Sequence, residues 1–218
     1  MKIAVLGTGT VGQTLGSAFA AAGHEVAMGS RDAGNESAAA WAAATGGTAR
    51  ADSFAGAAAG AELVVNATAG MHSLLALEAA GRENLAAKVL LDVANALDFS
   101  AGFPPSLAVV NTDSLAESIQ RTFPEALVVK SLNTVAAPVM VAPASVAGGD
   151  HDVFLAGNDD GAKAVVRTLL SQLGWAEGHI RDLGALEAAR AMEMYLPLWL
   201  RLMGSTKTAM FNIKITTE

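Results

Sequence analysis

The chain has 218 residues, 47 of them alanine; 52% are hydrophobic, 16% are charged, the formal net charge is −7 and cysteine is absent. This composition excludes a disordered chain, a disulfide framework, a thiolate nucleophile and a Cys-ligated metal or iron–sulfur site. The acidic balance argues against a partner as anionic as nucleic acid.

At about 150 residues per domain, the length fits one domain or one and a half. A mean hydropathy of +0.38 hints at a membrane. No stretch, however, reaches the roughly 18 unbroken apolar residues of a spanning helix. Much of the score comes from alanine. Lys2 and the apolar residues after it resemble a secretory leader, but Gly7, Thr8, Gly9, Thr10, Gly12 and Gln13 break the run. The reading is an acidic cytoplasmic protein with a sizeable core.

In chain order, apolar runs at Ile3–Leu6, Glu25–Met28, Leu63–Asn66 and Val89–Val93 read as buried strands. They are separated by helical stretches at Val11–Ala22, Glu36–Ala44, Ser53–Ala59 and Ser73–Glu83, and Thr48–Ala51 adds one weak strand. Strands that are apolar throughout and alternate with helices predict a parallel sheet covered on both faces. Further strands are expected at Leu127–Val129, Val153–Ala156 and His179–Asp182, with a helix over Gly161–Leu173. Pro138–Gly149 reads as a long loop. An apolar helix is expected from Leu186 to at least Leu202, with a kink or a break at Pro197. The fold class is therefore α/β: a Rossmann-type doubly wound, mainly parallel sheet with a small fused C-terminal extension. The expected division is residues 1–132 for a nucleotide-binding domain and 133–218 for an acceptor-pocket or dimerisation extension.

Gly7-Thr8-Gly9-Thr10-Val11-Gly12 is a G-x-G-x-x-G string that follows a strand and opens a helix. In that context Gly7 makes the tight turn, Gly9 lets a pyrophosphate approach the backbone, and Gly12 lets helix and strand pack closely. The amides at the helix start attract the anion, helped by the helix dipole. An NAD enzyme usually places a carboxylate at the tip of the second strand, for the ribose 2′-hydroxyl. Here that tip is Gly29-Ser30-Arg31. A hydroxyl and a guanidinium suit a 2′-phosphate, so NADP(H) is the expected nicotinamide. Asp32 is a competing partner for Arg31.

The remaining strand ends carry small or neutral polar residues: Asn66 to Gly70 with Ala67 and Thr68, then Asn95, then Asn133, Val135 and Ala137. No carboxylate dyad, Ser–His–Asp set or metal-ligand spacing is present, so no catalytic side chain is assigned. Of the four histidines, only His72 is expected near the nicotinamide end. Arg190 lies within helical reach of Glu187 and Glu193, which reads as a structural ion pair.

Five segments carry a family resemblance. They are Val5-Leu6-Gly7-Thr8-Gly9, Met28-Gly29-Ser30-Arg31, Leu91-Asp92-Val93-Ala94-Asn95, Val128-Val129-Lys130-Ser131-Leu132-Asn133 and Arg190-x-x-Glu193-x-x-x-Pro197. Together the chain resembles the NADP oxidoreductases that work with the deazaflavin coenzyme F420, and also the reductase domain of the six-transmembrane ferric reductases. The resemblance implies that Thr8, Gly9, Thr10 and Val11 hold the pyrophosphate and adjoining ribose. Ser30 and Arg31 would hold the 2′-phosphate, and Thr68, Asn95, Val135 and Ala137 would flank the nicotinamide. It implies direct hydride transfer between NADP(H) and F420 or a flavin, which needs positioning more than an acid or base. The expected state is a homodimer acting on small molecules. The alternatives are an NADP(H) sensor without turnover and a reductase of a small imine or carbonyl substrate.

Overall fold

In the computed structural model, which describes all 218 residues, the chain opens with strand β1 (Lys2–Leu6), helix α1 (Thr10–Ala21), β2 (Glu25–Ser30) and α2 (Glu36–Thr45). It continues through β3 (Arg50–Ser53), α3 (Phe54–Ala59), β4 (Leu63–Asn66), α4 (Ser73–Ala80), α5 (Arg82–Leu85) and β5 (Val89–Asp92). A small hairpin, β6 (Leu97–Asp98) and β7 (Ser106–Leu107), precedes α6 (Leu115–Thr122), β8 (Leu127–Ser131) and α7 (Ala137–Val141). The last elements are β9 (Val153–Gly157), α8 (Asp160–Gln172), β10 (Ile180–Asp182), α9 (Ala189–Met194) and α10 (Leu196–Thr206). No helix is long and apolar enough to cross a membrane.

Eight strands form one sheet in the order β10-β9-β8-β5-β4-β1-β2-β3. The six from β3 to β8 are all parallel; β9 runs antiparallel to β8, and β10 parallel to β9. Both faces are buried, as β1 shows residue by residue. Ile3 and Val5 join the cluster that includes Leu15, Trp41 and Val166, whereas Ala4 and Leu6 join that of Phe54, Leu77 and Ile119. Strand order reverses between β1 and β4, and their carboxyl ends open the crevice in which such sheets bind ligands.

Several elements differ from the sequence reading. Helix α4 stops at Ala80 because Gly81 has φ +92°, a left-handed conformation that ends the turn. Residues Pro138–Gly149 are not a plain loop: α7 and two single 3-10 turns, Pro143–Ser145 and Ala147–Gly149, occupy them. The helix expected from Leu186 begins instead as a 3-10 turn; its division at Tyr195 into α9 and α10 is the break expected near Pro197. Pro197 then falls in the first turn of α10, where a missing N–H costs little. Hairpin β6–β7 and helix α6 have no counterpart in the sequence reading. Ser114 caps the start of α6: its Oγ accepts from Glu117 N at 3.1 Å and donates to Glu117 Oε2 at 2.7 Å, while Ser114 N donates to Asp113 Oδ1 at 2.9 Å.

Candidate active site

The turn between β1 and α1 owes its shape to its glycines. Gly7 has φ +120°, and a Cβ there would lie 2.5 Å from Ala67 O; at Gly12 it would lie 2.0 Å from Gly7 O. Gly9 is different, since a Cβ there would meet nothing within 4 Å. Gly9 is also the N-cap of α1, and no side chain caps that end. The structure thus leaves room beside uncapped amides, which fits an approaching pyrophosphate. Gln13 fixes the turn by donating to Thr8 O and to Ser37 Oγ, both at 2.9 Å.

Two hollows adjoin at the strand ends. One, of about 610 Å³, is lined by Gly7, Thr8, Gly9, Ser30 and Arg31 and extends past Phe54 and His72. The other, of about 250 Å³, is lined by Val11, Asn95, Asn133, Val135, Ala137 and Trp199, among others. Ala67 and Thr68 border both. A broader, solvent-open groove of about 1050 Å³ runs between α1 and α2.

Of the fourteen residues that the sequence suggests for cofactor binding, twelve line one or other hollow. Thr10 is exposed on the first turn of α1, and Gly12 is buried beneath Gly7. The Ser30 hydroxyl donates to Asp32 O. Asp32 accepts from Gly34 N at 2.9 Å, and the exposed Arg31 side chain has no ion-pair or hydrogen-bond partner. His72 lines the larger hollow, which also holds Arg31, Ala67 and Thr68. No pair of acid–base side chains faces the smaller hollow.

Residues 2–96 match the family described as NADP oxidoreductase, coenzyme F420-dependent. Over 100% of both chains, the protein is 55% identical to one from Arthrobacter sp. FB24 designated, provisionally, an F420-dependent NADP-reductase, with a TM-score of 0.94. The chain belongs to the coenzyme F420-dependent NADP oxidoreductase family. It is accordingly an NADP-dependent oxidoreductase. A hypothetical protein, SMa0349 of Sinorhizobium meliloti, is 27% identical over 87% of each chain, with a TM-score of 0.64. An imine reductase from Streptomyces aurantiacus shares the fold at 19% identity and a TM-score of 0.67, over 95% of this chain and 64% of its own. No curated protein sequence matches the chain.

Behind the smaller hollow of this oxidoreductase lies a buried polar network that sequence reasoning missed. Thr68 Oγ1 donates to Asn66 Oδ1 at 2.7 Å, and Asn66 Nδ2 donates to Asp92 Oδ1 at 2.8 Å. The fully buried Lys130 lies 2.8 Å from Asp92 Oδ2 and 2.9 Å from Glu193 Oε1, and it also donates to Ala94 O. Glu193 in turn accepts from Leu115 N and Ala116 N, at 2.8 and 3.2 Å, at the start of α6. Burial alone would lower the Lys130 pKa, but Asp92 and Glu193 outweigh it and hold the ammonium above its ordinary value. One ammonium between two carboxylates leaves one net negative charge, which the positive end of α6 faces.

A lysine within the apolar run Leu127–Ser131 was the available signal, since a buried charge needs a partner. The network also corrects the expected ion pair. Arg190 joins neither Glu187 nor Glu193; it grips Glu117 of α6, at 2.6 Å from Nη2 to Oε1 and 2.9 Å from Nε to Oε2. Those bonds hold the Glu117 carboxyl below its ordinary range. Asn95 and Asn133 bond reciprocally: Asn95 Nδ2 to Asn133 O at 2.8 Å, and Asn133 Nδ2 to Asn95 Oδ1 at 3.0 Å. The loops after β5 and β8 are thereby fixed to each other beside the hollow.

Proposed function

We propose that the protein passes hydride between NADP(H) and a deazaflavin of the F420 type, or a flavin, held across the two hollows. The observation that carries the reading is their continuity. One hollow starts at an unpartnered guanidinium, crosses the open turn at Gly9 and meets a second, largely apolar hollow at Ala67 and Thr68. In this reading Arg31 and Ser30 hold the 2′-phosphate, and the amides after Gly9 hold the pyrophosphate. Thr8, Thr10 and Val11 border the adjoining ribose; Ala67, Thr68, Asn95, Asn133, Val135 and Ala137 flank the nicotinamide. When bound, NADP(H) supplies or accepts the hydride. The chain's own part is to orient two flat rings and exclude water between apolar walls, which suits a site without an acid–base pair.

Arg31 gives the test of cofactor choice. A charge-assisted bond contributes about 1.5–3 kcal/mol, so Arg31→Ala should lower kcat/KM for NADPH about 10- to 100-fold with F420 or a flavin as acceptor. The value for NADH should stay unchanged, because its ribose hydroxyl has no charge for Arg31 to meet. An equal loss for both nicotinamides, or no loss for either, would contradict the assignment.

A further inference from the structure

Three of the five buried side-chain polar atoms that lack a hydrogen-bond partner belong to residues lining the smaller hollow: Asn133 Oδ1, Thr134 Oγ1 and Trp199 Nε1. Folded proteins pair nearly all such atoms, so a concentration of orphans in one wall marks a place that a ligand completes. Their chemistry specifies the ligand. Asn133 has committed its Nδ2 to Asn95 Oδ1 and Met192 O, both at 3.0 Å, which leaves its oxygen as a pure acceptor. An indole N–H only donates, and a threonine hydroxyl does either. The wall beside them is apolar, with Val11, Val93, Met140 and Leu196.

We propose that Thr134, Trp199 and Asn133 form a recognition site for the amide or imide edge of a flat heterocycle, presenting a donor and an acceptor to its C=O and N–H. The proposal rests on the hydride-transfer reading, which offers two sources of that edge. One is the carboxamide of the nicotinamide, and the other is the pyrimidinedione of a flavin or deazaflavin.

The C-terminal segment is built to fix the indole. Phe211 stacks on Trp199, with ring centroids 5.4 Å apart and planes at 25°. The segment is then tied to the residues before β9. Asp152 N donates to Ile213 O at 3.0 Å, Ile215 N donates to Asp152 Oδ2 at 2.7 Å, and Lys214 Nζ pairs with Asp150. Phe211 is therefore a positioning residue for the Trp199 N–H.

Calorimetric titration of Thr134→Val and Trp199→Phe with NADP+, F420 and FMN, each separately, tests the site. Each variant should bind one class of ligand about 5- to 10-fold more weakly, the loss of one neutral hydrogen bond, and the other class as wild type does. A loss confined to NADP+ identifies the carboxamide; a loss confined to F420 or FMN identifies the imide. Thr134→Val should show this with a Tm no lower than wild type, because it removes a buried hydroxyl that the free protein leaves unpaired. Binding of all three ligands within twofold of wild type would overturn the site. So would a uniform loss accompanied by a lower Tm, which a merely structural role would produce. If the wild-type protein binds neither F420 nor FMN, the hydride-transfer reading falls, and the NADP+ titration still decides this proposal.

Discussion

Lys130→Met should destabilise the protein by about 3–5 kcal/mol, because it strands Asp92 and Glu193 as buried carboxylates with no cation between them. For a chain of this length that corresponds to a fall in Tm of about 6–20 °C, readable by calorimetry. The cost lies in the uncompensated charges and not in the lost methylenes, since methionine fills nearly the same volume. A triple variant, Asp92→Asn with Lys130→Met and Glu193→Gln, should therefore recover about half of the loss. Equal destabilisation of the single and triple variants would place the effect in packing instead. The variant should also disturb the site. Lys130 anchors Ala94 O beside Asn95, and Asp92 shares Asn66 with Thr68.

Two glycines of one turn should behave oppositely. Gly12→Ala places a methyl 2.0 Å from Gly7 O, which is backbone and can yield only if α1 moves away from β1. The expected cost is about 3 kcal/mol, at the upper end of overpacking, and a Tm lower by about 6–12 °C. Gly9→Ala meets nothing in the free protein, and its φ of −77° suits alanine, so Tm should change by no more than about 2–3 °C. The same methyl occupies the space through which a pyrophosphate would reach the amides of α1. NADPH affinity should therefore fall about 10- to 100-fold in Gly9→Ala, read by titration of the folded variant. Unchanged affinity there would show that the turn serves packing only.

The parts of the fold legible in the sequence are those written in local pattern. Strands β1, β2, β4 and β5 are apolar on both faces, and the G-x-G-x-x-G string marks its own strand–turn–helix. Arg31 could be read because the rule it departs from, a carboxylate at the end of the second strand, is positional. The Lys130 network was not legible, because its partners lie 38 and 63 residues away and spacing arguments reach only three or four. The same limit misdirected Arg190, whose partner Glu117 is 73 residues distant. Helix α6 is hard to read even though the pattern Ser114-x-x-Glu117 stands in the sequence. Its eight residues follow a turn-rich stretch that masks the periodicity. The apolar stretch Tyr195–Leu200 reads in the sequence as a pocket roof or a dimer surface; only the folded chain puts Trp199 in the wall with Asn133 and Thr134 and leaves its N–H unpaired.

Anaerobic oxidation of NADPH, followed by nicotinamide absorbance with F420, FMN, FAD and no acceptor in parallel, tests hydride transfer most directly. The account predicts acceptor-dependent turnover with F420 or a flavin and none without an acceptor. Binding of NADPH with no oxidation by any of them would contradict it and leave a protein that holds the nucleotide without using its hydride.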